Sequence, residues 1–114
     1  MKKRLFALSL LLAFVLSISA AAAEVRSTVV PTLEFSGSTA ECSVRVVNNQ
    51  ASIEVVLELW DDDKLIDSWE ASGVSYVSIE ETCSVVRRST YTLKAYGTFN
   101  GVSFSETSVT KMCP

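Results

Sequence analysis

The sequence predicts an all-β protein, an antiparallel β-sandwich of about seven strands that follows a cleaved, helical signal peptide. Apolar and polar residues alternate through most of the chain after residue 28, and β-branched residues are abundant. Turn signals recur about every 8 to 12 residues, which is typical of a sandwich. The chain contains only 2 prolines, and no stretch beyond the N-terminal segment has a convincing helical period.

The N-terminal segment has the three parts of a secretory signal. Residues 2–4 are basic, residues 5–18 are apolar apart from two serines, and residues 21–23 are alanines. The apolar run is shorter than the roughly 20 residues that a spanning helix needs. We therefore expect cleavage between Ala23 and Glu24, no stable membrane anchor afterwards, and a secreted, extracellular protein.

The predicted domains are the signal peptide, 1–23, and one β-sandwich domain, 24–114. Removing the three basic residues of the signal leaves seven Lys and Arg against 13 Asp and Glu, a net charge of −6. An acidic surface repels phosphate backbones and anionic lipids, so we expect no nucleic-acid partner. The expected partner is an unknown protein or glycan, and the oligomeric state is not predicted.

The strands follow from alternation and from the turns between them. Their expected ranges are 29–35, 39–47, 52–60, 65–70, 74–83, 90–99 and 102–112. Alternation predicts which residues share an inward face, and these are Ala40, Cys42, Val44 and Val46, then Ile53, Val55, Leu57 and Leu59, then Tyr91, Leu93, Ala95 and Phe99. Asn100-Gly101 is the strongest hairpin signal, because a type I′ turn needs positive φ at both positions. The last strand changes phase, which predicts a β-bulge near Glu106. Seven short strands joined by short turns favour an immunoglobulin-like (Ig-like) or fibronectin-type sandwich.

A family resemblance supports this fold. Its motifs are Leu-Glu-Phe-Ser-Gly-Ser-Thr-Ala-Glu-Cys at 33–42, Tyr-Thr-Leu at 91–93 and a terminal Cys113-Pro114. With the signal peptide, they resemble small secreted single-domain Ig-like proteins of Gram-positive anaerobic bacteria, whose function is uncharacterised. The resemblance spans most of the chain after the signal and implies the fold and the compartment. Cys83 is additional to its pattern.

Three cysteines in an exported chain predict one disulfide and a spare thiol. In an Ig-like sandwich the start of the second strand lies near the end of the last strand. We therefore favour a Cys42–Cys113 bond. The end of the fifth strand approaches the same place, so Cys42–Cys83 is the alternative.

The two tryptophans suggest a binding face. If the turn after Trp60 contains two or four residues, Trp60 faces Leu65 and Val56 faces Trp69. These four residues would then form an outward apolar patch, of the kind that marks an interaction surface. A three-residue turn would instead send Trp69 into the core.

The residue types give little support for catalysis. The chain has no histidine, which excludes a histidine-activated nucleophile and a Cys/His zinc site. We expect no enzyme activity, no cofactor and no metal. The predicted function is a secreted binding or structural module, most simply for protein–protein interaction. The alternatives are a carbohydrate-binding module with an aromatic face and a secreted toxin or inhibitor.

Overall fold

A computed structural model describes residues 27–114, which form five antiparallel strands. They are β1 (Thr28–Ser36), β2 (Thr39–Asp61), β3 (Lys64–Ser84), β4 (Thr90–Phe99) and β5 (Val102–Met112). The described chain is thus all-β, as predicted, and has no helix long and apolar enough to cross a membrane. The predicted signal peptide, 1–23, and its cleavage between Ala23 and Glu24 lie outside the described residues.

The prediction of about seven strands is wrong in number, because two expected turns do not interrupt the strands. β2 has 23 residues and β3 has 21, and each runs through a predicted turn, at 48–50 and 71–73 respectively. Gln50 and Ser75 adopt positive φ, 65° and 72°. The Gln50 N–H donates to Ser75 Oγ at 2.8 Å, which ties the two irregular positions together. A bulge within a paired hairpin therefore replaces two separate turns.

The long hairpin β2–β3 takes part in two layers. Residues 39–47 of β2 lie between β1 and residues 76–84 of β3, which we call the three-stranded layer. Residues 52–61 of β2 lie between residues 64–74 of β3 and β4, and β4 pairs with β5. This second group is the four-stranded layer. The sheet is continuous through β2 and curls on itself, so the fold is of the β-sandwich type.

The core lies between the inner faces of the two layers. Alternate residues of β2 are buried on either side of its bulge, and they are Ala40, Cys42, Val44 and Val46, then Ala51, Ile53, Val55, Leu57 and Leu59. Phe35 of β1 and Tyr91 of β4 meet across the core with ring centroids 6.0 Å apart. No polar or charged side chain of the described chain is buried. Burial of each large side chain contributes about 1.5–3 kcal/mol, which holds the layers together.

The hairpin β4–β5 confirms two local predictions. Asn100 and Gly101 have φ values of 53° and 83°, as a type I′ turn requires. The β4–β5 register shifts between Ala95 and Gly97, because Ala95 pairs with Thr107 and Gly97 with Phe104. Residues 105–106 therefore both stand opposite one residue of β4, which is the bulge expected near Glu106.

Candidate functional site

The hairpin that carries the tryptophans has a two-residue turn and then a bulge. Trp60 pairs with Leu65, as the sequence predicts for a turn of this length. The register then shifts by one, because Leu59 pairs with Asp67 and leaves Ile66 as the extra residue.

The predicted face of Val56, Trp60, Leu65 and Trp69 is therefore wrong in one member. Trp69 pairs with Leu57 rather than with Val56, and it is half-buried against the core. One extra residue in a strand moves every later side chain to the opposite face. Val56, Trp60 and Leu65 remain together on the outer face of the four-stranded layer, where Leu65 is 46% exposed. Residues 65 and 66 are both apolar, so the sequence pattern could not show whether the pairing continues regularly after Leu65 or skips one residue.

A carboxylate at the centre of this outer face holds two aromatic side chains. The Trp60 indole Nε1–H donates to Glu58 Oε1 at 2.9 Å. The Tyr96 hydroxyl donates to Glu58 Oε2 at 2.6 Å. Lys94 Nζ lies 4.8 Å from the centroid of a Trp60 ring, a cation–π contact. We call Glu58, Trp60, Lys94 and Tyr96 the Glu58 cluster.

The pairing of β2 with β4 assembles the Glu58 cluster. Glu58 pairs with Lys94, and Val56 pairs with Tyr96, so these residues are cross-strand neighbours. Sequence reasoning missed Lys94 and Tyr96, because the two strands are about 38 residues apart along the chain and their register is not readable from either strand. The available signal was alternation in β4, which buries Tyr91, Leu93 and Ala95 and leaves Tyr96 outward.

The charges around Tyr96 keep its hydroxyl protonated. The hydrogen bond to Glu58 raises the pKa of Tyr96 above its usual value, and burial raises it further. The negative charges of Glu58, Glu106 and Glu70 act in the same direction. Tyr96 is therefore a fixed hydrogen-bond donor in an acidic environment.

A groove of about 610 Å³ adjoins Tyr96 on the same outer face. Its lining includes Glu54, Val56, Glu70, Ser72, Tyr96 and Thr98. Gly97 also lines it, and a Cβ at this position would overlap the carbonyl oxygen of Glu54. Thr98 Oγ1 donates to Glu54 Oε1 at 3.4 Å. The groove therefore has an apolar floor at Val56, an aromatic wall at Tyr96 and carboxylates at its margins.

All three cysteines are free in the structure, so neither predicted disulfide, Cys42–Cys113 nor Cys42–Cys83, is formed. Cys113 is buried at the β1–β2 turn, where its Sγ is 3.5 Å from the Gly37 carbonyl oxygen. Cys42 is farther along β2, opposite Leu33. At about 3.3 Å per residue of strand, that offset exceeds the Cα separation of about 7 Å that a disulfide tolerates.

Cys42 and Cys83 are diagonal neighbours on the inner side of the β2–β3 ladder. Cys42 pairs with Glu81, and Cys83 pairs with Ala40. Burial raises the pKa of Cys42 to about 12, with smaller contributions from Cys83 and Asp67. Cys83 is only half-buried, and burial and Asp67 raise its pKa too. Both thiols therefore stay protonated and poorly nucleophilic at neutral pH.

Comparisons with known proteins give this chain no family. No protein-family model and no curated protein sequence matches it. Among solved structures, it is similar to a beta-glucuronidase from glycoside hydrolase family 2, with a TM-score of 0.49 and 12% identity. That match covers 75% of this chain and 11% of the other chain, so the chain spans about a tenth of that protein's length. A likeness of this degree carries no argument about activity. Residues 27–114 contain no group of three or more metal-ligating side chains.

Proposed function

We propose that this chain is an exported, Ig-like or fibronectin-type module that binds another protein through the outer face of its four-stranded layer. The observation that carries the proposal is the Glu58 cluster. It places an indole and a phenol in fixed positions on the two central strands of an outward face. The signal-peptide pattern supports export, and it makes an extracellular or cell-surface partner the natural one.

Strand pairing supports the Ig-like assignment. Each bulged strand contributes to both layers, so the seven expected segments are distributed three to one layer and four to the other. The Tyr91 hydroxyl accepts a hydrogen bond from the Val86 N–H at 2.7 Å. A tyrosine near the start of a late strand that bonds to the backbone a few residues upstream is typical of Ig-like sandwiches.

Trp60 and Tyr96 supply the properties of an interface centre. Tryptophan and tyrosine are enriched at protein interfaces and dominate their binding energies. Both side chains are already oriented by Glu58, so less conformational entropy is lost when a partner packs on them. Their rings are half-exposed, which leaves contact area available.

A protein partner has more support than a glycan. A sugar-binding platform would use exposed ring faces, and Trp69 faces the core rather than joining Trp60. A Trp60 ring is itself covered on one side by Lys94. We observe no feature that favours a toxin or an inhibitor.

Site-specific photo-crosslinking tests the proposal. Ser68 is exposed on the outer face of the four-stranded layer beside Glu58, and Thr32 is exposed on the outer face of the other layer. Full-length chains carrying p-benzoylphenylalanine at either position are expressed, and the secreted protein is irradiated against intact cell surfaces. We expect one defined protein adduct from position 68 and none from position 32.

A Trp60→Ala change in the Ser68 reporter provides the control for specificity. We expect it to abolish the adduct while the protein stays folded, with a cooperative thermal transition. Adducts from position 32 alone, or adducts that survive Trp60→Ala, would show that this face is not the binding surface.

A further inference from the structure

We propose that the groove beside Tyr96 receives a lysine or arginine side chain from a basic segment of the partner protein. The inference deepens the proposed function and rests on it, because it assigns a chemistry to the partner. The charge around the groove, its aromatic wall and its apolar floor all favour such a side chain, and the opposite face lacks the aromatic wall.

Negative charge is concentrated around the groove. Glu54 and Glu70 line it, while Glu58 and Glu106 act electrostatically on the tyrosine of its wall. Neither Glu70 nor Glu106 forms an ion pair within residues 27–114. A cation entering the groove would therefore meet carboxylates that have no positive partner in the described chain, and electrostatic attraction would also speed its approach.

The chain already shows how this face accommodates a cation. Lys94 places its ammonium over a Trp60 ring at 4.8 Å, next to Glu58. On the same outer face, Tyr96 pairs with Val56 on one side and Glu70 pairs with Val56 on the other, so the tyrosine and this carboxylate flank Val56. Among residues 27–114, no lysine or arginine lines this groove, and the negative quadrupole of an aromatic ring face favours a cation.

The shape of the groove fits a long side chain with a charged end. Lysine and arginine pack their methylene stems on apolar surface and keep their heads in a polar environment. Val56 provides the apolar surface, and the carboxylates of Glu54 and Glu70 stand at the margins. Gly97 lets β4 approach the β2 backbone closely beside the groove, because a Cβ there would overlap the Glu54 carbonyl oxygen.

The outer face of the three-stranded layer provides an internal control. It has a groove of about 560 Å³ lined by Glu34, Glu41 and Glu80, with no aromatic side chain in its lining. If negative charge alone attracted the partner, this groove would serve equally well. We expect that this groove does not bind the basic segment, because it lacks an aromatic side chain.

The test uses the secreted protein and blocked hexalysine, with blocked hexaglutamate as the negative control. Binding is followed by two-dimensional amide NMR at low and at high salt. We expect hexalysine to shift the amides of Val56, Glu70 and Tyr96, and to lose affinity as salt rises. Hexaglutamate is expected to produce no shifts.

Two triple variants with equal charge separate a site from general attraction. Glu54→Gln, Glu70→Gln and Glu106→Gln together are expected to weaken hexalysine binding about five- to tenfold, as removal of several exposed charges does. Glu34→Gln, Glu41→Gln and Glu80→Gln together are expected to change it less than about twofold. All substituted residues are exposed or at the rim of a groove, and thermal unfolding verifies that both variants fold.

The outcomes for the groove and for the proposed function are distinguishable. Equal weakening in both triple variants, or no hexalysine binding, overturns the cationic-groove inference. If the position 68 adduct still forms in that case, protein binding by this face stands without it. If hexalysine binds as expected but no adduct forms, the groove is a cation site and the protein-binding proposal fails.

Discussion

The two outer faces of the sandwich have similar polarity but different organisation. Each presents glutamates beside a groove of about 600 Å³, at Glu54 and Glu70 on one face and at Glu34 and Glu41 on the other. Only the four-stranded face fixes aromatic side chains with a central carboxylate, Glu58. The comparison teaches that outward charge, which any solvated strand can carry, does not distinguish a binding face. Aromatic rings held in place by cross-strand hydrogen bonds do.

The number of strands explains part of the difference. In the four-stranded layer, β2 and β4 are both central, so both strands that carry the Glu58 cluster are flanked on each side and the cluster is half-buried. In the three-stranded layer only β2 is central, and both of its neighbours are edge strands. A wider layer can shelter a polar network on its outer face, and sheltered hydrogen bonds are stronger than solvated ones.

The largest expected effect comes from disturbing the close approach of β4 to β2 at Gly97. Gly97→Ala would bring a methyl group into the Glu54 carbonyl oxygen, and we expect a loss of about 3 kcal/mol in the free energy of unfolding. Urea denaturation followed by circular dichroism measures it. Ser43→Ala, on the central strand of the other layer, is the matched control and should stay within about 0.5 kcal/mol. A Gly97→Ala protein of normal stability would contradict the close approach of β2 and β4.

The second effect tests whether Glu58 organises its face. Glu58→Ala removes the acceptor of both the Trp60 and the Tyr96 hydrogen bonds. We expect a loss of about 1–2 kcal/mol in the free energy of unfolding, because two half-buried donors lose a charged partner. Glu41→Ala, on the outer face of the three-stranded layer, should cost less than about 0.5 kcal/mol. Equal costs at the two positions would remove the distinction between the faces.

The third effect is on the titration of Tyr96, measured by the ultraviolet absorbance of tyrosinate. Glu58→Gln should lower the pKa of Tyr96 toward its usual value, because the charge that raises it is removed. The fold favours the protonated phenol, so its stabilising contribution is complete below the ordinary pKa of about 10. That contribution is lost as pH rises through the raised pKa. A Tyr96→Phe variant measured in parallel isolates the absorbance change that belongs to Tyr96, and an unchanged Tyr96 titration in Glu58→Gln would contradict the hydrogen bond.

The smallest effect concerns the cation on Trp60. Lys94→Met keeps most of the stem but removes the ammonium, and we expect a loss of about 0.5–1 kcal/mol. In a Trp69→Phe background, the fluorescence of Trp60 should shift because its neighbouring charge is gone. Arg45→Met, on the outer face of the three-stranded layer, should leave that fluorescence unchanged. No shift in the Lys94 variant would argue against the cation–π contact in solution.

Local sequence predicted most of the strands but not how they continue. Alternation placed Cys42, Val44 and Ile53 in the core, and Asn100-Gly101 marked the last hairpin. The polar residues at 48–50 indicated a turn, yet β2 continues as one strand through them, and only the cross-strand register shifts there. The reason is that a hydrogen bond joins Gln50 to Ser75 across the two strands. The sequence of one strand does not show where the neighbouring strand has a bulge.

The same limit applied to the candidate site. Trp60 and Leu65 could be placed from the turn alone, because a two-residue hairpin fixes the pairing next to it. Trp69 could not, since a bulge at Ile66 reverses every later side chain at little local cost. Tyr96 and Lys94 reach Glu58 only through the register of β2 against β4. The disulfide prediction was wrong for a related reason. Cys113 lies at the β1–β2 turn, whereas Cys42 lies farther along β2, opposite Leu33.

By itself, the sequence determined that the chain after residue 27 is all-β, which residues of β2 and β4 are buried, and where its hairpins turn. These properties depend on a period of two and on turn chemistry, both of which act over a few residues. The tertiary structure alone decided which side Trp69 faces, which strands share a layer, and that Glu58, Trp60, Lys94 and Tyr96 meet. Those outcomes depend on register between strands distant in sequence, and register is set by the packing of the whole core.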